Sequence, residues 1–288
     1  MKVLITGAAG QVGRGLIRTA GNEAQLLTVS HKDLDIADGD AVLAYVRAQA
    51  PEVIINAAAH TAVDRAESEP ELARRVNADG PRHLAVAARE VGARLIHIST
   101  DFVFDGQASS PYQPESATAP LSVYGRTKLA GEQAVLETLP GRSVIVRTAW
   151  VYAAEGANFV RTMLRVMNAN GTVRVVADQV GTPTAAVSLA ETLWKIAGEP
   201  QIAGIHHWTD AGVASWYDFA VAIAEEGAAL NLVAPTVTVT PIATADYPTP
   251  ARRPSYSVLD KSSLARHGMV PAHWRRRLRA VLGEMKHG

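Results

Sequence analysis

The chain contains no cysteine. That absence excludes disulfides, thiolate catalysis and cysteine-ligated metal, and it fits a reducing compartment. A surplus of one charge is also missing. Lys and Arg number 28 and Asp and Glu number 28, so the formal net charge is zero. No global field then draws the chain to nucleic acid or to an anionic membrane. No uninterrupted apolar stretch approaches membrane-spanning length. The run Val3-Leu4-Ile5 behind Met1-Lys2 is too short for a signal peptide, and a glycine turn follows it at once. No two-histidine spacing with a nearby carboxylate argues for a catalytic metal. His206 and His207 are adjacent on an apparent strand, point to opposite faces and read as structural. These absences lead to the expectation of a cytoplasmic protein with no nucleic-acid partner, no membrane association and no metal ligands.

What is present is ordinary for a globular chain: 288 residues, 48% hydrophobic and 19% charged. That is enough for one large domain or two modest ones with a sizeable core. Lys2 to Thr6 reads as a buried strand, Gly7-Ala-Ala-Gly10-Gln11-Val12-Gly13 as a turn, and Arg14 to Ala20 as a helix. In that context the glycines have defined tasks. The first allows the tight turn, the second lets backbone approach a pyrophosphate, and the third lets helix pack on strand. The pyrophosphate would sit on the helix N-terminus, where free N–H groups and the dipole favour an anion. The spacing is G-x-x-G-x-x-G rather than G-x-G-x-x-G, and the bland alternative is a glycine turn with no ligand.

The second strand, Leu26 to Val29, ends in Ser30-His31-Lys32. A carboxylate expected there for a ribose 2′-hydroxyl is replaced by a basic, hydroxyl-bearing turn that suits a 2′-phosphate. NADPH is therefore the expected cofactor, with NADH the alternative. Asp35 and Ile36 would border the adenine, although Asp35 also reads as a cap for a helix over Asp38–Ala50. A third strand, Pro51 to Asn56, leads into Ala57-Ala58-Ala59, small residues that let a flat cofactor lie close to backbone. Ser68-Glu-Pro-Glu71 reads as a capping box opening a long helix to about Val91. A fourth strand over Ala93–Ile98 delivers Ser99-Thr100-Asp101 to the same edge, and a fifth over Ser143–Arg147 leads to Trp150. Strands alternating with helices predict an α/β, Rossmann-like, doubly wound parallel sheet.

Tyr124 and Lys128 stand one helical turn apart and would project from one helix face. A neighbouring ammonium favours the phenolate, so such a pair can act as an acid/base device. The same spacing also occurs by chance on exposed helices.

Taken together, these blocks resemble the extended short-chain dehydrogenase/reductase superfamily and, within it, the dTDP-4-dehydrorhamnose reductases. The matching pieces are Gly7-x-x-Gly10-x-x-Gly13, Asn56 to Asp64, Ser99-Thr-Asp-Phe-Val-Phe-Asp-Gly106, Tyr124-x-x-x-Lys128 and Arg147 to Tyr152. Asp178-Gln-Val-Gly-Thr-Pro-Thr184, Gly204-Ile-His-His207, Ser215 to Ala220 and Arg253-Pro-Ser-Tyr-Ser257 continue them. The resemblance implies a catalytic set of Thr100, Tyr124 and Lys128 acting on a dTDP-linked 4-keto-6-deoxyhexose. Tyr124 would give a proton to the developing alkoxide and Thr100 would hydrogen-bond the same oxygen. Lys128 would lower the tyrosine pKa and hold the nicotinamide ribose. It also implies that Asp101 and Trp150 touch the substrate, where the bland readings are a strand end for Thr100 and a core residue for Trp150. Some family members carry Glu two residues after the third glycine, as a magnesium ligand between subunits. Gly15 stands there in this chain, which argues against Mg2+ and that mode of pairing, and leaves a homodimer open.

After about Asp178 the strand–helix rhythm breaks. We expect residues 1–178 to form the NAD(P)-binding domain and 179–288 a smaller α/β substrate-binding lobe, the lobe borrowing segments of the first part. In it, Thr182-Pro183-Thr184 starts a helix, residues 204–208 form a short strand, Ser215 caps a helix to about Ala229, and 235–241 is an exposed strand. Arg252 or Arg253 would pair with the sugar-nucleotide diphosphate, or be solvated surface. Arg275 to Arg277 read as an exposed helix face. The runner-up functions are a nucleotide-sugar epimerase or 4,6-dehydratase and a non-catalytic NADP-binding regulatory subunit. Dehydratases of this kind usually show Thr-Asp-Glu after the fourth strand, whereas Phe102 follows Thr100-Asp101 here.

Overall fold

The computed structural model describes residues 1–287. Its first half alternates strand and helix: β1 (Lys2–Thr6), α1 (Gln11–Arg18), β2 (Gln25–Val29), α2 (Gly39–Gln49), β3 (Val53–Asn56), α3 (Val63–Ser68), α4 (Pro70–Arg74), α5 (Gly80–Val91), β4 (Arg94–Thr100), α6 (Val123–Thr138) and β5 (Ser143–Thr148). The second half is more broken: β6 (Val151–Tyr152), α7 (Phe159–Asn170), β7 (Thr172–Val176), β8 (Val180–Gly181), β9 (Thr184–Ala185), α8 (Ala186–Gly198), β10 (Gly204–His207), β11 (Ala214–Ser215), α9 (Trp216–Ala229), β12 (Thr238–Ile242), α10 (Ser262–Ala265) and α11 (Trp274–His287).

Six strands form one parallel sheet in the order β10-β5-β4-β3-β1-β2. The chain steps outward from β1 to β2 and then returns across it to β3, so the carboxyl ends of β1 and β3 flank the switch point where such sheets bind ligands. The sheet is buried on both faces, which is why its strands read as continuous apolar runs. Val3, Ile5, Ile55, Ile96 and Val146 pack against Leu16 of α1 and Leu189, Leu193 and Ile196 of α8. The alternate residues Leu4, Ile54, Leu95 and Ile145 face Val42 and Val46 of α2, Leu84 of α5 and Val135 of α6. A separate apolar cluster under the second half joins Met163 and Met167 of α7, Phe219 and Ile223 of α9, and Leu278 and Leu282 of α11.

The two halves exchange segments across residue 178. Strand β10 pairs with β5 and α8 covers one sheet face, although both lie beyond 178. Tyr152, Val160 and Val173, all before it, pack in the lobe's cluster. The reason is coverage: without α8 the Val3–Ile5–Ile55 face would meet water.

Local expectations fare unevenly. The long helix expected to about Val91 is present from Pro70, but Ser68 does not cap it. Ser68 ends α3 and its hydroxyl donates to Arg65 O at 3.0 Å. The next helix opens on Pro70, and a π-helical turn over Arg75–Asp79 precedes α5. Thr184 and Ala185 pair with β6, and α8 begins only at Ala186. Ser215 does cap α9, in a reciprocal box with Asp218 at 2.9 and 3.0 Å. The strand expected over 235–241 is β12, parallel to β7. Arg275 and Arg277 are not merely solvated: Arg275 Nε pairs with Glu226 at 2.9 Å and Arg277 with Glu191 at 2.9 Å. Among the described residues, no helix is long and apolar enough to cross a membrane.

Candidate active site

The carboxyl ends of the sheet strands open into two joined recesses. One, of about 390 Å³, is lined by Gly7, Ala9, Gly10, Ser30, His31, Asp35 and Ile36 and floored by Ala57, Ala58 and Ala59. The other, of about 500 Å³, shares Gly10 and the three alanines and continues past Gln11, Val12, Thr100, Asp101, Tyr124 and Lys128 to Trp150, Trp216 and Arg253.

Gly7 has φ +69°, and a Cβ there would lie 2.6 Å from the backbone of Ala57. Only glycine brings β1 that close to the β3 edge. Gly13 does not line either recess: a Cβ would lie 2.3 Å from Gly7 O, so it permits the close helix–strand approach. No side chain caps the start of α1 at Gly10, which leaves its first N–H groups to an anion. An elongated groove, uncapped helix amides and an alanine floor fit a dinucleotide. At the far end Lys32 is exposed and stands off the groove wall, whereas Ser30 and His31 line it. Ser30 N and its hydroxyl both donate to Asp33 Oδ2, at 2.8 and 2.6 Å. The turn expected to be basic therefore also carries a carboxylate, which those two bonds hold below its ordinary range. Asp35 accepts from Ala37 N at 3.0 Å, and the cap of α2 is Asp38.

Ser122 caps α6 by accepting from Gly125 N at 3.1 Å. The helix thereby presents Tyr124 and Lys128 on its buried face. Lys128 Nζ donates to Ile98 O at 2.7 Å and lies 3.2 Å from His97 Nε2. Burial lowers its pKa to about 8, against a smaller upward pull from Glu132. Tyr124 packs edge-on against Phe102, ring centroids 5.6 Å apart. Burial raises its pKa to about 12; the Thr100 hydroxyl pulls it back and the Asp101 carboxyl adds to the rise. The expectation that Lys128 draws the tyrosine down is thus not met in the chain alone. The lysine is turned to Ile98 and His97, and desolvation dominates both groups.

Thr100 ends β4 and directs its hydroxyl proton to Asp101 Oδ1 at 3.0 Å while accepting from Phe102 N at 3.2 Å. Asp101 is 2% exposed. Its pKa rises to about 6 because of burial, against the Ser257 and Thr100 hydroxyls. Across the cleft Trp150 adopts φ +48° and stacks on Trp216, centroids 3.6 Å apart and planes 7° from parallel. Gly181 makes room for that indole, since a Cβ would meet Trp150 Cε2 at 2.8 Å. Arg253 reaches the cleft in a bidentate pair with Asp64, Nη2–Oδ2 2.7 Å and Nη1–Oδ1 3.1 Å. Arg252 is exposed and does not line it.

Several residues of this region escape sequence reasoning. Trp216 reads as the first residue of a capped helix, and only tertiary packing puts it on Trp150. Asn77 sits in the π-helical turn, accepts from His60 N at 2.8 Å, and donates to His60 O at 3.1 Å and Thr127 at 3.2 Å. It ties the groove floor to α6, and a broken helical period is its only signal. Glu132, one turn beyond Lys128, forms a buried ion pair with Arg147 at 2.7 Å.

Gly15 lies against α8, where a Cβ would meet Ala186 O at 3.2 Å. It offers no donor to a magnesium ion, so the position does not fit that metal. Among the described residues, no group of three or more His, Asp or Glu is placed to hold a metal ion.

Comparison with known proteins adds to this geometry. A family model described as the RmlD substrate binding domain matches residues 1–287. A dTDP-4-dehydrorhamnose reductase of Aggregatibacter actinomycetemcomitans is 41% identical, over 97% of this chain and 98% of that protein. The crystal structure of a dTDP-4-dehydrorhamnose reductase from Clostridium acetobutylicum is similar with a TM-score of 0.94 and 42% identity, covering 99% of this chain and 100% of that one. That of a dTDP-4-dehydrorhamnose reductase from Bacillus anthracis, in complex with NADP, gives a TM-score of 0.92 and 37% identity, covering 98% and 99%.

Proposed function

The chain belongs to the dTDP-4-dehydrorhamnose reductase family, and from that premise we propose that it uses NADPH to reduce the C4 ketone of dTDP-4-dehydro-L-rhamnose to dTDP-L-rhamnose. The observation that carries the reading is the convergence of Thr100, Tyr124, Lys128, Trp150 and Arg253 on one cleft continuous with the glycine groove.

Gly7, Gly10 and the α1 amides of Gln11 and Val12 hold the cofactor's pyrophosphate, with Ala57 to Ala59 beneath it. Asp35 and Ile36 border the adenine, and Ser30 and His31, which line the groove beside them, meet the 2′-phosphate. Bound there, the cofactor supplies the hydride. The residues then handle the charge that develops on the ketone oxygen. Tyr124 gives that oxygen its proton; with its pKa near 12, the phenol is fully loaded at neutral pH. Thr100 exchanges its bond to Asp101 for one to the same oxygen. Lys128 holds the nicotinamide ribose hydroxyls. Asp101 accepts from a sugar hydroxyl, the Trp150–Trp216 stack offers a flat apolar face to the nucleotide, and Arg253 pairs with the diphosphate. Phe102, edge-on to Tyr124, occupies the position where a dehydratase carries a second carboxylate.

The test is NADPH absorbance with purified protein and dTDP-4-dehydro-L-rhamnose; no loss of absorbance overturns the proposal. Tyr124→Phe is expected to lower kcat by roughly 10²–10⁴-fold with NADPH binding retained. Cofactor retained through purification with no net NADPH use would favour the epimerase reading, and unchanged low turnover in Tyr124→Phe the regulatory one.

A further inference from the structure

The second half of the chain reaches back to the glycine turn through the loop over 153–158, between β6 and α7. Gly156 takes φ +77° and brings the loop against the Gln11 side chain at the start of α1. Arg14 pairs with Glu155, and Arg161 Nη1 donates to Ala154 O at 2.7 Å, so the loop is fastened on both sides. Asn158 stands at its end, and its neighbours fix which end of its carboxamide is which. Arg161 N donates to one side-chain atom at 3.1 Å, and a backbone N–H can only donate, so that atom is Oδ1. The other atom, Nδ2, carries two protons. It meets Ala153 O and the Gln11 side chain, each at 2.9 Å, while the carbonyls of Gly156 and Glu155 lie farther off at 3.3 and 3.4 Å. An amide nitrogen cannot accept, so the Gln11 atom facing it is Oε1. The Gln11 carboxamide is therefore held by its oxygen end, and its Nε2 is turned away from Asn158. Gln11 lines the cleft beside Gly10, Val12 and Ala157. Among the described residues, no group of the chain accepts from Nε2.

We propose that Asn158 is a positioning residue for the dinucleotide: by holding Gln11 Oε1 it keeps the Gln11 amide N–H groups aimed at the pyrophosphate that the glycine turn receives. A carboxamide is ambivalent toward an anion. Its nitrogen end donates to a phosphate oxygen, whereas its oxygen end has only lone pairs to present. A free glutamine would have to be ordered, correct end first, when the cofactor arrives, and that ordering costs affinity. Held by Asn158, it is ordered in advance. The same asparagine caps α7, whose first residue, Phe159, packs on Trp216 with ring centroids 4.7 Å apart. One side chain thus secures a donor to the cofactor and the helix behind the Trp150–Trp216 stack. This role rests on the dinucleotide reading proposed above, and it adds to that site a residue from beyond the sheet strands that frame it.

NADPH binding to the full chain, read by fluorescence titration, tests this without turnover. Gln11→Ala should raise Kd roughly 10–150-fold, the loss of one hydrogen bond to a charged group. Asn158→Ser keeps an oxygen for Arg161 N, and so the cap of α7, but removes the donor to Gln11. Its Kd for NADPH should rise roughly 2–12-fold, the cost of ordering one long side chain on binding, and KM for the nucleotide sugar should not follow it. In Gln11→Ala the asparagine has nothing left to hold, so adding Asn158→Ser should raise Kd no further. Losses that add in the double variant refute the proposal, because Asn158 would then act on binding by another route. An unchanged Kd in Gln11→Ala refutes it too, even if Asn158→Ser fails to fold. A parent that binds no NADPH overturns the cofactor reading as well, whereas a parent that binds it and single variants that match it overturn this role alone.

Discussion

Replacing Glu132 by glutamine should destabilise the protein severely and also disable it. The Glu132 side chain is 1% exposed and its partner Arg147 is 2% exposed. The carboxylate receives Arg147 Nη2 at 2.7 Å, Arg147 Nε at 3.0 and 3.2 Å, and the Ser99 hydroxyl. Beyond the pair, Arg147 has a bond from Nη1 to Pro114 O at 3.1 Å and the Phe104 ring 5.1 Å from its guanidinium carbon. A neutral amide in place of the carboxylate would leave that guanidinium buried with no counter-charge. Removing one member of a buried pair costs about 3–5 kcal/mol. At about 2–4 °C per kcal/mol for a domain of some 150–250 residues, Tm should fall by roughly 6–20 °C. Turnover should fall as well, because Glu132 is one turn from Lys128 and Ser99 directly precedes Thr100. The discriminating partner is the double variant Glu132→Leu with Arg147→Met. An apolar pair of similar size removes both charges together and should recover most of the lost stability without recovering activity. Thermal and urea unfolding check both variants. A single variant within about 1 kcal/mol of the parent, or a double variant no more stable than the single, refutes the argument.

Three further changes probe the cleft and its frame. Gly181→Ala places a methyl 2.8 Å from Trp150 Cε2 and 2.9 Å from Ser257 Oγ, and the stack on Trp216 leaves the indole nowhere to move. Overpacking of about 1–3 kcal/mol should raise KM for the nucleotide sugar roughly 5–150-fold and leave NADPH affinity unchanged; an unchanged sugar KM refutes it. Arg253→Lys loses the bidentate fork that meets Asp64, and should raise the sugar KM by about tenfold with kcat nearly kept; a change confined to NADPH affinity would count against the placement. Asp210→Asn tests a buried carboxylate whose pKa rises from 3.8 to about 6, chiefly by desolvation, although Oδ2 accepts from Ala185 N at 2.9 Å. A raised acid contributes stability that is complete below 3.8 and is lost as pH climbs through about 6. The Asn variant should therefore be more stable than the parent at neutral pH, by up to roughly 3 kcal/mol, and equal to it near pH 4; urea unfolding at the two pH values decides.

The parallel sheet is legible because its strands are buried on both faces and so read as unbroken apolar runs such as Val3-Leu4-Ile5 and Val53-Ile54-Ile55. Local chemistry is legible too, as in the Ser215 box, where cap and partner are three residues apart. Strand β10 reads as part of the lobe because Gly204-Ile-His-His207 carries nothing that names its partner, and pairing with β5 is a long-range fact. The helix expected to open on a Ser68 box opens instead on Pro70 with no side-chain cap and runs to Val91 through a π-helical turn at Arg75–Asp79, where Asn77 reaches His60 and Thr127. Trp216 and His97 escape notice for the same reason: each acquires its meaning from a neighbour far away in sequence.

Position along the chain also predicts which groups meet, but not which way their protons go. The spacing of Tyr124 and Lys128 suggests an ammonium drawing a phenol toward ionisation. Such a pull prevails in water-like surroundings, where attraction between charges outweighs a small loss of solvation. Here both groups are almost wholly buried, and burial pushes the phenol up to about 12, the lysine down to about 8 and Asp101 up to about 6. Each of the three is moved toward its uncharged form. For a reductase this is the productive direction, because a donor to a developing alkoxide must hold its proton until hydride arrives. A strongly acidified tyrosine would reach the ketone already spent. The negative charge formed on the substrate oxygen, in a cleft with little water to answer it, then draws the Tyr124 proton at the moment it is needed.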